Sequence, residues 1–289
     1  MKTCRAPDPS PLKPSYVAPP LACDAHCHVF GPADRFPYAP ERTYTPPDAG
    51  FERLSALHRH LGLSRAVLVQ ASCHGSDNTA MLDAIARSGG AYRGVAMVGP
   101  QITESMLRTL HAGGVRGVRF NFVHHLGGAP DMAFFEQTIA RIAPLGWHLQ
   151  LHFDAEDIPQ YRALLDGLPV PFIIDHMGRV RAGDGLQQPA FVQLLDLMRG
   201  NARAWVKISG SERISSTGAP FEDAMPYARA LVAAAPDRVL WGTDFPHPNI
   251  SGDMPNDGAL VDLFARTITD ESMRRRILVD NPQRLYWAD

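Results

Sequence analysis

Short apolar segments recur along residues 21–289, and most of them are followed by a segment with helical periodicity. Three of them, AVLVQ, PFIID and RVLWG, are nearly continuous in hydrophobic residues, which is typical of strands buried on both faces of a parallel sheet. The pattern predicts eight strands, at Leu21–Phe30, Arg65–Gln70, Tyr92–Val98, Val115–Phe120, Trp147–Phe153, Pro171–His176, Ala204–Ile208 and Val239–Thr243.

The segments between the strands carry apolar residues three and four positions apart, as on the buried face of an amphipathic helix. Phe51, Leu54, Leu57 and Leu61 share such a face, and similar patterns predict helices at 78–87, 104–112, 132–142, 190–198 and 222–234. Eight strands alternating with helices predict an α/β fold of the (β/α)8 type, a TIM barrel closed by right-handed crossovers. The alternative is a doubly wound sheet, but the turn after the first strand, HCHVFGP, lacks its glycine-rich motif.

Residues 1–20 differ from the rest of the chain. They contain six prolines and no apolar core of a signal peptide, so we expect an extended arm on a cytoplasmic protein. No repeat interrupts residues 21–289, which predicts one domain. The net charge of −2, without a long run of either sign, argues against nucleic acid or an anionic membrane as a partner. No apolar stretch is long enough for a membrane span.

Polar residues stand at the carboxyl ends of the predicted strands, where barrels of this type carry their chemistry. His26 and His28 are two residues apart on the first strand, so both side chains point to the same side. His152, His176 and Asp244 end three other strands. Together they predict a site in which imidazoles bind a metal or polarise a carbonyl group and Asp244 acts as the general base.

These residue types also have common structural roles. A lone histidine pair is more often a hydrogen-bonded structural pair, and an aspartate after a strand usually caps the next helix. Pro246 and Pro248 argue against a cap at Asp244, because they delay the start of a helix. Three arginines that would singly form surface ion pairs could together bind an anionic substrate. They are Arg119, Arg179 and Arg213, and weaker candidates on the surrounding loops are Tyr44, Ser72 and His74.

The histidine pair, the two further histidines and the final aspartate resemble the amidohydrolase superfamily. Over nearly all of residues 20–289 the chain is similar to the 2-pyrone-4,6-dicarboxylate lactonases, which open a dicarboxylated pyrone ring in the bacterial breakdown of lignin-derived aromatic compounds. The segments that carry this resemblance are DAHCHVFGP, YTPPDAG, QASCHGSDN, GVRFNF, IDHMGR and WGTDFPHPN.

The resemblance implies a role for each matching residue. His26, His28 and His176 would surround and polarise the lactone carbonyl, and Asp244 would activate the attacking water. The residues that fall where the family holds the ring substituents are Tyr44, Ser72, Arg119, Arg179 and Arg213. We add His74, His125 and His152 as candidate substrate-binding residues.

Two departures from the lactonase pattern bear on the substrate and the cofactor. His124 and His125 stand where the lactonases carry a Lys-Arg pair, which weakens the second carboxylate anchor. His152 stands where they carry tyrosine. Those lactonases work without a metal, whereas a histidine at this position is a feature of metal-dependent relatives. The expected cofactor is therefore none, or one divalent ion, preferably zinc, held by His26, His28, His152 and Asp244.

We therefore expect a lactone hydrolase, as a monomer or small homo-oligomer, that acts on a small anionic unsaturated lactone. The first substrate to try is 2-pyrone-4,6-dicarboxylate, and a sister group, the 4-sulfomuconolactone hydrolases, supplies the alternative. Zinc-dependent decarboxylases share the barrel and several of these residues, but they require the metal. A binding module without catalysis would give no reason for three histidines and an acid at separate strand ends.

Overall fold

The computed structural model describes residues 2–123, 127–250 and 252–288. Eight parallel strands form one sheet in which neighbours along the chain are neighbours in space. The strands are β1 (Cys23–Cys27), β2 (Arg65–Val69), β3 (Tyr92–Ala96), β4 (Val115–Asn121), β5 (His148–His152), β6 (Phe172–Ile174), β7 (Ala204–Lys207) and β8 (Val239–Leu240). All eight predicted strands are confirmed.

Backbone hydrogen bonds between β1 and the segment after β8 close the sheet into a barrel. The N–H of Ala25 donates to the carbonyl of Trp241 at 2.8 Å, and the N–H of Asp244 donates to the carbonyl of His26 at 2.8 Å. The fold is the predicted (β/α)8 barrel. Its closure also sets the backbone of Asp244 directly against the histidine pair of β1.

Helices surround the barrel, and the buried face predicted for the first of them is present at Leu54, Leu57 and Leu61. The helices are α1 (Phe51–Leu61), α2 (Thr79–Arg87), α3 (Glu104–Ala112), α4 (Met132–Ile142), α5 (Ile158–Gly167), α6 (Pro189–Gly200), α7 (Ser211–Ile214), α8 (Met225–Ala234), α9 (Asp257–Thr267), α10 (Glu271–Arg275) and α11 (Asn281–Tyr286), with a π-helical segment at Arg276–Asp280. All six predicted helices are among them. The periodicity did not indicate α5, α7 or α9–α11.

The interior of the barrel changes character along its axis. Near the amino-terminal ends of the strands it is filled by an apolar cluster, Cys23, Ala25, Val67, Val95, Ile173, Trp205, Leu240 and Tyr286. Further along the same strands the inward residues are polar and buried, including Gln150, Asp175 and Lys207. In β1 the change from apolar to polar inward residues coincides with a register shift between Asp24 and Cys27. This bulge lets the consecutive residues Ala25 and His26 both face the interior.

The N-terminal arm lies against the outside of the barrel. Lys2–Thr3 pairs in parallel with Tyr44–Thr45, and the N–H of Leu12 donates to Oδ1 of Asn256 at 3.0 Å. The carbonyl of Leu12 packs so closely on Gly258 that a side chain there would collide with it. The arm therefore contacts both α9 and the loop that carries Tyr44. Within the described part of the chain, no helix has the length and apolar character needed to cross a membrane.

Candidate active site

Asp244 lies at the centre of the polar half of the barrel. Its Oδ1 is 3.2 Å from Nε2 of His28, 3.6 Å from Nε2 of His26 and 3.9 Å from Nε2 of His176. All four side chains are buried. The structure thus brings together, at one oxygen atom, residues from the ends of three separate strands.

The backbone around Asp244 is held in an unusual conformation. Asp244 has φ +64°, in the left-handed region that non-glycine residues rarely adopt. Its carbonyl accepts a hydrogen bond from the N–H of His247 at 2.8 Å. The preceding Thr243 donates to Asp24 through its N–H at 3.0 Å and its hydroxyl at 2.6 Å. Bonds on both sides therefore keep Asp244 in place, as is common for strained residues at functional sites.

Arg213 forms an ion pair with the second oxygen of Asp244. Its Nε donates to Oδ2 of Asp244 at 2.6 Å, and its Nη2 contacts the same oxygen. Burial alone would raise the pKa of Asp244, but Arg213 and the adjacent histidines hold it well below its usual range. The pKa values of His26 and His176 lie well below 6.5, chiefly because both rings are buried. The resting site therefore combines an ionised carboxylate with neutral imidazoles at these two positions.

A cleft opens above Asp244. Six of the predicted substrate-binding residues line it: Tyr44, Ser72, Arg119, His152, Arg179 and Arg213. Pro248 and Asn249 also line it but were not predicted. Both residues lie in the loop that follows β8. A position in the loop after a strand end was therefore the only feature of the sequence that indicated a place in the cleft.

Each arginine of the cleft is held by a carboxylate. Nη2 of Arg119 lies 3.5 Å from Oδ2 of Asp175, and Nε of Arg179 donates to Oδ1 of Asp154 at 2.7 Å. Arg213 pairs with Asp244 as described above. A guanidinium has five N–H donors, so these pairs fix the orientation of each group while leaving donors for an anionic ligand.

The ring of His74 contacts the backbone of the loop after β1. Nε2 of His74 accepts a hydrogen bond from the N–H of Gly31 at 3.2 Å, and its Nδ1 lies 3.2 Å from the carbonyl of Pro37. The ring therefore fixes the loop after β1, and His74 is not among the residues that line the cleft. His125 lies outside the described residues, as does His124.

A buried polar layer beneath the cleft was not predicted from the sequence. Nζ of Lys207 donates to Oε1 of Gln150 at 2.8 Å, lies 3.3 Å from Nδ1 of His26 and is 3.8 Å from Oδ1 of Asp175. Burial lowers the pKa of Lys207 to about 8. Burial opposes ionisation of Asp175, but Lys207 and Arg119 together hold its pKa below the ordinary value. The sequence did offer an indication of the buried position of Lys207. Side chains alternate between the two faces of a strand, so Lys207 in AWVK shares a face with Trp205.

A second group of charges lies behind Arg213. Nε2 of His247 is 3.1 Å from Oδ1 of Asp257, and its Nδ1 is 3.8 Å from Oε1 of Glu212. The same Glu212 oxygen is 3.7 Å from Nε of Arg213. Burial alone would lower the pKa of His247, but Asp257 and Glu212 raise it to about 10. A cationic His247 therefore joins the loop after β8 to the start of α9.

The site offers residue types that zinc prefers, three imidazoles and a carboxylate. Ligand atoms of His26, His176 and Asp244 all lie within 4.8 Å of one another. However, Lys207 already contacts His26, and Arg213 already contacts Asp244. A divalent ion would be repelled by both cations in a buried setting. The surroundings of these ligand atoms therefore do not fit a resident divalent ion.

His152 lines the cleft beside His176, with the two ring centroids 6.0 Å apart. Burial, and secondarily Arg119, holds the pKa of His152 well below 6.5. It does not belong to the group of ligand atoms around His26, His176 and Asp244. Its role as a metal ligand stays a prediction.

Comparisons with known proteins agree with this architecture. The family described as amidohydrolase matches residues 23–287. A 2-pyrone-4,6-dicarboxylate hydrolase of Comamonas testosteroni is 46% identical over 288 residues, covering 97% of this chain and 94% of that protein. A 4-sulfomuconolactone hydrolase of Hydrogenophaga intermedia is 42% identical over 280 residues, covering 96% and 91%. The apo crystal structure of an Agrobacterium tumefaciens protein superposes with a TM-score of 0.85 at 28% identity, covering 96% of this chain and 99% of the other. With a closed barrel and histidines and an acid converging at its mouth, the chain belongs to the amidohydrolase family.

Proposed function

We propose that the protein hydrolyses the ring ester of 2-pyrone-4,6-dicarboxylate. The observation that carries the proposal is the convergence of three imidazole Nε2 atoms on the ionised Asp244 at the base of a cleft lined by arginines. Ester hydrolysis needs a base for water and donors for the carbonyl oxygen, and this arrangement supplies both. The 46% identity to a hydrolase named for this substrate supports the same reaction.

The arginines account for the substrate class. The substrate is a flat ring with two carboxylates, and guanidinium groups bind carboxylates through paired hydrogen bonds. Arg179, with 27% of its side chain exposed, stands nearer to solvent, whereas Arg119 and Arg213 are more deeply buried. Contacts at both depths would hold the ring so that its ester carbonyl faces the histidines.

The reaction follows from these positions. Water attacks the carbonyl carbon, a new carbon–oxygen bond forms, and negative charge develops on the carbonyl oxygen beside the histidines. Oδ1 of Asp244 accepts a proton from the water. The bond between the carbonyl carbon and the ring oxygen then breaks, and the ring oxygen leaves as an enolate that takes the proton from Asp244. The new carboxylic acid ionises, so each turnover releases one proton.

Asp244 is a weak base because Arg213 lowers its pKa. It suffices because the leaving group is a stabilised enolate rather than an alkoxide, so the ring oxygen departs without a strong base to drive the reaction. Arg213 also keeps the carboxylate ionised between turnovers.

We propose further that hydrolysis needs no metal, because Lys207 and Arg213 already supply positive charge around His26 and Asp244. The described cysteines, Cys4, Cys23, Cys27 and Cys73, are all buried and form no disulfide with one another. This suits the reducing cytoplasm in which we place the protein. A role in aromatic catabolism follows from the proposed substrate.

4-Sulfomuconolactone is the second candidate substrate. Its support is the identity of 42% and 41% to two hydrolases named for it, from Hydrogenophaga intermedia and Rhizobium radiobacter. A sulfonate is an anion that the same arginines could hold. Asp244 would activate the attacking water in the same way, so the two candidates differ in the ring that opens and in the anionic group that the arginines hold.

The test is to incubate the purified protein with each lactone in ¹⁸O-labelled water and to follow ring absorbance, product mass and carbon dioxide. We expect loss of the pyrone band and one ¹⁸O atom in the new carboxylate. Consumption of 4-sulfomuconolactone alone would replace the substrate but keep the reaction. Release of carbon dioxide with a product lighter by that mass would identify a decarboxylase and overturn the proposal.

A further inference from the structure

We propose that Lys207 is a positioning residue that fixes the tautomer of His26, so that His26 presents a proton at Nε2. The kinetic consequence rests on the proposed function, since the proton at Nε2 would stabilise the developing oxyanion. The tautomer itself is a property of the free protein, so it can be tested without a substrate.

The surroundings of Lys207 consist of acceptors. The side chain is fully buried, and Gln150 is turned so that its Nε2 donates to Oδ2 of Asp175 at 3.1 Å. Its Oε1 therefore faces Lys207 and accepts a hydrogen bond at 2.8 Å. Oδ1 of Asp175 lies 3.8 Å from Nζ on another side. An amide oxygen and a carboxylate both favour the ammonium form, which has three donors and no acceptor.

Nδ1 of His26 has two neighbours at the same distance. Nζ of Lys207 and Oδ1 of Asp175 each lie 3.3 Å away. The lysine contact has hydrogen-bond geometry, whereas Oδ1 of Asp175 accepts no hydrogen bond from any described residue. Because the ammonium can only donate, Nδ1 of His26 must accept. A neutral ring then carries its proton on Nε2.

His28 has the opposite arrangement. Its Nδ1 lies 2.7 Å from the backbone carbonyl of Val69. A carbonyl only accepts, so Nδ1 of His28 donates, whereas Nδ1 of His26 accepts. Nε2 of His28 lies within hydrogen-bond distance of Oδ1 of Asp244, at 3.2 Å. The two histidines of one motif thus differ at Nδ1, and the ring of His26, in contrast to that of His28, is held there by a cation.

Nε2 of His26 is buried and has no hydrogen-bond partner among the described residues, although it faces Asp244 at 3.6 Å. A donor in this position is available to a substrate carbonyl oxygen. The same proton blocks the lone pair that a metal would need. Lys207 therefore favours metal-free hydrolysis over metal binding, and its removal would let the ring turn its proton to Nδ1 and donate to Asp175.

The direct test is ¹⁵N NMR of the histidine rings in the metal-free protein, with His26 assigned from the spectrum of His26→Gln. We expect the wild type to show an unprotonated Nδ1 and a protonated Nε2 at His26. In Lys207→Met we expect the proton on Nδ1. A protonated Nδ1 in the wild type overturns the proposal, and this result stands even if the variant does not fold.

Kinetics and metal content supply the second readout. We expect Lys207→Met to lower kcat about 10–100-fold with little change in KM, as outer partners of site histidines typically do, and to gain zinc toward one ion per chain. The matched control is Lys13→Met, a lysine in the arm that donates to the carbonyl of His60, and it should change neither value. A folded Lys207→Met with the wild-type tautomer and zinc content would assign Lys207 a structural role only. Absence of turnover in the wild type would overturn the proposed function but leave the tautomer result intact.

Discussion

The same strands build both halves of the barrel interior, but the apolar half stabilises the fold and the polar half carries the candidate active site. On β6 the inward residue changes from Ile173 in the apolar half to Asp175 just after the strand, and on β7 it changes from Trp205 to Lys207. A step of two residues thus leads from a hydrophobic core to a buried ion network. Burial stabilises the first half directly. In the second half burial opposes ionisation, and the charges persist because they compensate one another.

This difference has a physical consequence for mutagenesis. Changes in the apolar half should lower the free energy of unfolding and leave the chemistry intact, because no reacting atom lies there. Changes in the polar half should alter catalysis more than stability. Substitutions in each half test that division, and we expect the largest effect at Asp244.

Replacing the central carboxylate should have the largest effect. Asp244→Asn removes the proton acceptor, so kcat should fall by roughly 10²–10⁴-fold, the usual contribution of a general base. The measurement is the rate of absorbance loss of the pyrone. Asp196→Asn, on an exposed pair with Arg199, is the matched control and should keep the wild-type rate. Near-normal turnover by Asp244→Asn would remove this residue from the chemistry.

A cavity in the apolar half should act on stability alone. Ile173→Ala should lower the free energy of unfolding by about 2–5 kcal/mol, and Ile173→Val by about 0.5–1.5 kcal/mol, because buried methyl groups are lost and a void remains. Denaturant unfolding measures the change, and kcat and KM of the folded variants should match the wild type. A large loss of kcat without a loss of stability would contradict the division between the halves.

Loss of the arginine beside Asp244 should weaken substrate capture. Arg213→Met should raise KM roughly 10–100-fold, since hydrogen bonds to charged groups contribute about 1.5–3 kcal/mol. Because Arg213 lowers the pKa of Asp244, its removal should also move the acidic limb of kcat/KM to higher pH. Arg199→Met, at an exposed surface pair, is the control. An unchanged KM would exclude Arg213 from substrate binding.

The smallest expected effect concerns pH and stability behind the site. The pKa of His247 is about 10 in the folded protein, above the unfolded value of about 6.5. Its protonation therefore stabilises the fold fully below about pH 6.5, and this contribution is lost as the pH rises toward 10. His247→Gln should lower Tm most at pH 6 and least near pH 10. An equal decrease in Tm at every pH would show that the charge of His247 does not stabilise the fold.

The sequence predicted the barrel well because its strands and most helices have periodic patterns. It did not reveal α9, whose residues are buried on several sides, including Leu260, Val261 and Phe264. The N-terminal arm covers this helix, so it keeps little of the polar face that periodicity requires. The arm contributes through contacts with residues nearly 250 positions away, which no local pattern records.

The candidate site could be predicted where chemistry stood at strand ends, as for His26, His28, His176 and Asp244. Lys207 was missed because it stands in an apolar strand and its partners come from β1, β5 and the end of β6. His74 was predicted to bind the substrate, but its ring nitrogens contact backbone groups of a neighbouring loop. Only the folded loop brings these groups near, so the sequence did not show them. Contacts between residues that are distant in the chain depend on the register of the strands and on the closure of the barrel. Both are properties of the assembled fold, so no local sequence pattern records them.

We propose that the buried histidines and the ionised Asp244 open an anionic lactone without a metal. The most direct measurement is the turnover of 2-pyrone-4,6-dicarboxylate by chelator-treated protein whose metal content is determined in the same sample. We predict rapid loss of the pyrone band at far less than one metal ion per chain. No turnover until zinc is restored, followed by full activity at one zinc per chain, would contradict the account.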